Sequence, residues 1–146
     1  MSAIKDFEEF IRNGIVKKQS PDKSRAKYLE EESEKAYKFL QKKVSTFGIT
    51  DETANDLVRS CYDILMESIR AKMLIKGYNA SGQGAHEAEV SYLRNLGFKE
   101  KDVQFADQLR YFRNGMLYYG TSLEKEYAQK IIEFTDKIYF MLLNSA

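Results

Sequence analysis

The chain is poor in cysteine, proline and histidine. It has one of each among 146 residues. Because Cys61 stands alone, no disulfide can form within the chain, which fits a reducing compartment. The lone histidine, His86, is too isolated for the three or four ligands that a zinc site usually takes.

An excess of charge of either sign is missing too. Lysine and arginine number 23 and aspartate and glutamate 22, so the net charge is +1. A strongly basic nucleic-acid binder would carry a net positive field, so the composition argues against that class. The composition does not exclude a local basic patch on the surface.

Long hydrophobic runs are absent from the chain. No stretch approaches the ~20 apolar residues that a membrane span needs. The acidic, amphipathic start, MSAIKDFEEFIRNG, lacks the charged-then-apolar layout of a signal peptide. We therefore expect a soluble, cytoplasmic protein with no membrane partner.

What the chain does contain is apolar residues at helical spacing. Ser20 and Pro21 predict the N-cap and first residue of a helix that Gly48 ends. Thr50 predicts the cap of a second helix, which Gly77 closes. Because only a short turn joins these long helices, they are expected to form an antiparallel hairpin.

Three further helices are predicted after a loop at residues 77–85. They cover His86 to Asn95, about Glu100 to Tyr119, and a last amphipathic segment that the capping box Thr121-Ser-Leu-Glu124 opens. No strand alternation, internal repeat or low-complexity tract is visible.

The first residues of the chain predict a separate short element. Apolar residues between positions 4 and 10 indicate a leading helix that docks on the bundle, and residues 14–19 read as a linker. The predicted fold class is all-α: an up-down bundle of four to five main helices with a short N-terminal helix. The domain prediction is 1–19 for the leading helix and linker and 20–146 for the bundle.

The stretch RYFRNGMLYYG, residues 110–120, holds the main candidate site. Asn114 and Tyr118 are four residues apart and share a helix face, whereas Arg113 points about 140° away from Tyr118 in a regular helix. Arg113 falls on the apolar arc of its helix, where a charge needs a partner. The candidate ligand-binding residues are Arg110, Arg113, Asn114, Tyr118 and Tyr119. The simpler alternative is that they only pack and cap helices.

His86 is a secondary candidate, in the segment GQGAHEAEVSYL. Glu87 and Glu89 stand close by, but such closely spaced helical positions do not converge on one metal ion. Ordering of the preceding loop is the favoured role. Gly82 and Gly84 resemble a phosphate loop only superficially, because the lysine and the preceding strand that such loops need are missing. The sequence predicts no metal and no cofactor.

The order of these segments resembles the HEPN family, small all-α domains named for nucleotide binding in higher eukaryotes and prokaryotes. The resemblance covers about residues 20–143 and is carried by IRAKMLIKGYNASGQGAHEAEVSYL and DQLRYFRNGMLYYG. It implies a homodimer. In catalytic members of the family, arginine and histidine of both protomers meet at a cleft and cleave RNA. Many catalytic members are toxins paired with a nucleotidyltransferase antitoxin. Arg113 and Asn114 match the arginine and its polar neighbour in the family motif.

Tyr118 stands where the catalytic members have histidine. Histidine titrates near neutrality, whereas tyrosine, with an ordinary pKa near 10, is a poor general base. The residues therefore suit binding of a nucleotide, RNA or partner protein better than turnover, which is the favoured hypothesis. A working ribonuclease toxin and a purely structural interaction module are the alternatives.

Overall fold

The computed structural model describes residues 3–119 and 123–145, without the side chains of residues 116–119. Within those ranges the chain is mostly helical, with one small antiparallel sheet. The elements are α1 (Phe7–Arg12), β1 (Val16–Lys18), α2 (Lys23–Phe47), α3 (Ala54–Ile75), β2 (Tyr78–Ala80), α4 (Ala85–Asn95), α5 (Glu100–Tyr119) and α6 (Lys125–Leu143).

Helices α2 and α3 form the predicted antiparallel hairpin. Near the turn, Lys43 Nζ lies 2.8 Å from Asp56 Oδ2. Further along, the hydroxyls of Ser33 and Ser68 are 2.7 Å apart in a buried contact. Residue numbers fall on one helix as they rise on the other, so the two helices run in opposite directions.

Helix α3 is the centre of the bundle, since α2, α4, α5 and α6 all pack against it. Helix α6 runs parallel to it: Lys125 N donates to Asp51 Oδ1 just before α3 begins, and Lys72 Nζ donates to Ser145 O at the far end. Helix α5 is antiparallel to α6. The arrangement confirms the all-α, up-down prediction.

The relative direction of α5 and α6 follows from ring and ion pairs spread along both helices. Lys137 Nζ lies 2.9 Å from Asp102 Oδ1 near the start of α5. Midway along, the rings of Phe105 and Phe134 have centroids 4.4 Å apart. Near its end, Phe112 packs edge-on against Tyr127.

The N-terminal segment docks on the bundle as predicted. Phe7 and Phe10 of α1 are buried in the same apolar core as the main helices. The Arg94 guanidinium at the end of α4 donates to the backbone oxygens of Ile4 and Lys5. This residue therefore ties the start of the chain to α4.

The prediction of a strand-free chain is wrong at two places. Val16–Lys18 lies in the segment read as a linker and pairs antiparallel with Tyr78–Ala80, with Val16 opposite Ala80 and Lys18 opposite Tyr78. Each strand has only three residues, too few for an alternating pattern to show in the sequence. Pairing satisfies backbone groups that a linker would leave to water.

Two predicted helix starts are displaced. Helix α2 is capped by Asp22, whose carboxylate accepts from the backbone N–H of Arg25 at 3.0 Å; Ser20 and Pro21 precede the helix. A carboxylate is a charge-assisted acceptor for that amide, which favours Asp22 as the cap. Before α3, the side chains of Thr50 and Thr53 form a turn, and Thr53 takes the N-cap position. The predicted capping box of the last helix is also wrong, because Glu124 is extended and is itself the N-cap of α6. Thr121 lies outside the described residues.

None of the described helices has both the length and the hydropathy that crossing a bilayer requires.

Candidate functional site

A cleft of about 200 Å³ opens where α3, α4 and α5 meet. Helix α3 supplies most of its wall, because residues spaced three, four and seven apart fall on one face. Among the described side chains, α4 and α5 add one each. The described lining residues are Tyr62, Asp63, Met66, Glu67, Arg70, His86 and Arg113.

Arg113 enters this cleft from α5 and stands beside Tyr62. Its guanidinium carbon lies 5.5 Å from the centroid of the Tyr62 ring. A cation at this distance from an aromatic face is attracted by the ring quadrupole. The residue is half-buried, which agrees with its predicted place on the apolar arc.

The Nε atom of Arg113 is buried and has no hydrogen-bond partner; among the described side chains no other buried nitrogen or oxygen is left so. An unsatisfied buried donor costs about 1–3 kcal/mol, and more when the group is charged. The chain therefore holds a charged donor in the cleft without using it for its own packing.

Tyr62 links the arginine to His86. The tyrosine is 2% exposed, and its hydroxyl lies 2.8 Å from His86 Nδ1. Burial is the largest cause that raises the pKa of Tyr62 above its ordinary value, opposed by Arg110. The phenol therefore stays protonated at neutral pH. Its bond engages Nδ1 and leaves His86 Nε2 for other groups.

Arg70 lines the same cleft, but its charge is already paired. Its Nε lies 2.6 Å from Glu89 Oε2 and its Nη2 lies 3.1 Å from Glu89 Oε1, a bidentate contact. The Glu89 side chain is only 2% exposed. The bond to Glu89 is the largest cause that raises the pKa of Arg70. This pair fixes α4, and with it His86, against α3.

Two carboxylates complete the polar lining. Asp63 and Glu67 stand one turn apart on α3. Burial, followed by the charge of Asp63, raises the pKa of Glu67, and the charge of Arg70 opposes this. The cleft thus carries hydrogen-bond acceptors as well as donors.

The structure brings together two of the predicted candidates, Arg113 and His86, which no sequence pattern relates to each other. Arg110 does not line the cleft: its Nε donates to Asp107 Oδ1 at 2.8 Å, three residues earlier on α5. Asn114 is half-buried and does not line the cleft either. The side chains of Tyr118 and Tyr119 lie outside the described residues.

Sequence reasoning missed Tyr62, Glu89 and the role of Arg70. Tyr62 lies within the apolar stripe of α3 and looks like core. The one available signal was Glu89, a carboxylate next to buried Ala88 and Val90, which needs a cationic partner. No spacing rule identifies that partner on another helix.

Within residues 3–119 and 123–145, no three histidine, cysteine or acidic side chains are grouped closely enough to hold a metal ion. Comparisons of the chain with family models, with curated proteins and with solved structures find no match.

Proposed function

We propose that this chain is a HEPN-like domain that binds the phosphate of a nucleotide or of RNA at the Arg113 cleft, with little or no catalytic activity. The observation that carries the proposal is the buried, unpartnered Nε of Arg113. A phosphate oxygen is the acceptor that a guanidinium binds best, through two parallel N–H···O bonds. Because Nε is buried in the free chain, the Arg113 side chain has to shift toward the cleft for a phosphate oxygen to reach it.

The neighbouring contacts support a preformed site. Tyr62 holds Arg113 from one side, and Glu89 neutralises Arg70, so a single unpaired guanidinium faces the ligand. A side chain that is already positioned loses less entropy on binding. The resemblance to HEPN domains adds a homodimer and a nucleotidyltransferase partner to the proposal.

The test is a titration of the purified chain with 5′-labelled single-stranded RNA and with nucleoside monophosphates. Arg113→Ala is expected to weaken binding at least about tenfold, because charge-assisted bonds of this kind are worth 1.4 kcal/mol or more. Arg113→Lys keeps the charge but loses the planar guanidinium. Its affinity is therefore expected to fall between those of the parent chain and of Arg113→Ala.

Arg12→Ala is the matched control, since Arg12 is an exposed arginine on α1 that does not line the cleft. It is expected to bind like the parent chain. Parent-like affinity in Arg113→Ala would refute the proposal. Loss of the dimer in that variant, with no ligand bound by the parent chain, would support the structural alternative.

A metal-independent ribonuclease is the second candidate, favoured by the position of His86. This histidine lines the same cleft as Arg113, and its Nδ1 is held by Tyr62. It therefore offers a proton-transfer group in this cleft. Cleavage of RNA in the presence of EDTA, abolished by both His86→Ala and Arg113→Ala, would replace binding with cleavage as the function.

A further inference from the structure

The two carboxylates that line the cleft are Asp63 and Glu67 of α3. Neither forms a hydrogen bond or an ion pair with another described residue. Like charges four residues apart on a helix repel each other and destabilise it. The charge of Arg70, which favours the ionised form of Glu67, is already shared with Glu89. The acceptors of Asp63 and Glu67 are thus available to a ligand.

The cleft therefore presents one free cationic donor and two free anionic acceptors within about 200 Å³. A simple polyanion fits this charge pattern poorly, because the carboxylates repel it. The volume lies below the ~300–1,000 Å³ of pockets that enclose a drug-sized ligand, so the cleft covers only part of a nucleotide. A ligand with a single phosphate at one end and hydrogen-bond donors at the other matches the charge pattern.

Among the four RNA bases, guanine matches an ionised carboxylate best. A carboxylate only accepts hydrogen bonds, through two oxygens. Guanine presents N1–H and N2–H side by side, so both oxygens receive a donor. Adenine, cytosine and uracil each place an acceptor next to their donor on that edge, which sets lone pairs against the carboxylate. Bases that are not paired expose this edge to protein side chains.

We propose that the cleft selects a guanine monophosphate unit, either free or within single-stranded RNA. Arg113 binds the phosphate, and Glu67 with Asp63 binds the N1–H and N2–H edge of the base. Glu67 is the main base-reading residue because it is half-buried, whereas Asp63 is exposed. This inference rests on the proposed phosphate binding, and it adds the identity of the base.

The test compares the affinities of the full chain for the four nucleoside 5′-monophosphates by calorimetry. GMP is expected to bind at least about tenfold more tightly than AMP, since one good bidentate contact to a base discriminates by roughly 1–3 kcal/mol. Glu67→Gln is expected to remove most of that preference, because GMP loses a bidentate acceptor while AMP is released from the repulsion of the carboxylate. Asp63→Asn has a smaller effect in the same direction.

Glu87→Gln is the matched control, because Glu87 lies beside His86 on α4 but does not line the cleft. It removes the same charge nearby and is expected to keep the GMP preference. Binding to RNA is tested with a labelled uridine oligomer that carries one guanine and with an oligomer of uridine only. If the guanine-containing oligomer binds more tightly but GMP and AMP bind equally, the cleft selects guanine within RNA.

The failures are distinguishable. Equal affinity for GMP and AMP, with both lost in Arg113→Ala, and no gain from guanine in the oligomer, overturns base selection and leaves phosphate binding intact. An undiminished GMP preference in Glu67→Gln also overturns the assignment. Absence of binding to every nucleotide and oligomer overturns both proposals.

Discussion

Three arginines near the cleft have different environments. Arg70 is paired through two bonds with buried Glu89, and Arg110 is paired with buried Asp107. The Nε of Arg113, one turn after Arg110 on α5, has no such partner in the described chain. The first two stabilise the fold by satisfying a buried carboxylate. Arg113 instead lowers the stability of the fold, because its buried donor is unsatisfied.

Replacing Arg113 by an apolar side chain is therefore expected to spare stability. Arg113→Met removes an unsatisfied donor worth about 1–3 kcal/mol and loses a contact with Tyr62 worth about 0.5–1 kcal/mol. The free energy of unfolding, measured in urea, should stay level or rise by about 1 kcal/mol.

Arg70→Met is the control for that measurement. It leaves Glu89 buried without its cation, and breaking one side of such a pair costs about 3 kcal/mol. Equal losses of unfolding free energy in Arg113→Met and Arg70→Met would mean that Arg113 stabilises the fold.

Individual side chains were predictable where a single helix decides their position. The spacing of α5 places Arg113 on the apolar arc, and the structure finds it half-buried. The neighbourhood of His86 was not predictable in the same way. It depends on how α4 packs against α3, and no periodicity relates residues on separate helices.

At the scale of the elements, the backbones of two segments approach closely at the junction between α3 and β2. Gly77 has φ +81°, and a Cβ there would clash with the backbone oxygen of Gln19. The N–H of Gln19 donates to Gly77 O at 2.8 Å, which brings the two backbones together. This contact holds the chain between β1 and α2 against the end of α3.

Gly77→Ala is expected to destabilise the fold more than Gly97→Ala. Both glycines have positive φ, so both variants cost about 1 kcal/mol of backbone strain. Only at Gly77 does the new methyl group collide with backbone, since nothing lies within 4 Å of a Cβ at Gly97. The difference in melting temperature between the two variants measures the effect of the clash with Gln19. Equal melting temperatures would show that the backbones at Gln19 and Gly77 move apart without loss of stability.

Helices were predictable from the sequence because their apolar spacing extends over many turns. The prediction of about Glu100 to Tyr119 agrees with α5, and the hairpin of α2 and α3 is as expected. The strands and caps were not, because each depends on a few residues. Asp22 is chosen as a cap over Ser20 by one hydrogen bond, to the amide of Arg25.

At the scale of the whole molecule, the cleft depends on the packing of the bundle. Its residues come from α3, α4 and α5, and they meet because Arg70 and Glu89 lock α4 onto α3. The up-down architecture was foreseeable, but the assembly of Tyr62, His86 and Arg113 required the packed helices. Homodimerisation and the HEPN assignment remain predictions from the sequence.

The most direct test of the central claim is an NMR titration of the ¹⁵N-labelled chain with GMP, observing the arginine Nε–H signals. Arg113→Lys assigns the signal by removing it. If the Arg113 Nε–H binds a phosphate, its proton signal should move downfield and exchange more slowly with water as GMP saturates, while the signal of Arg12, which does not line the cleft, stays in place. An unchanged Arg113 signal at saturating GMP would contradict the account.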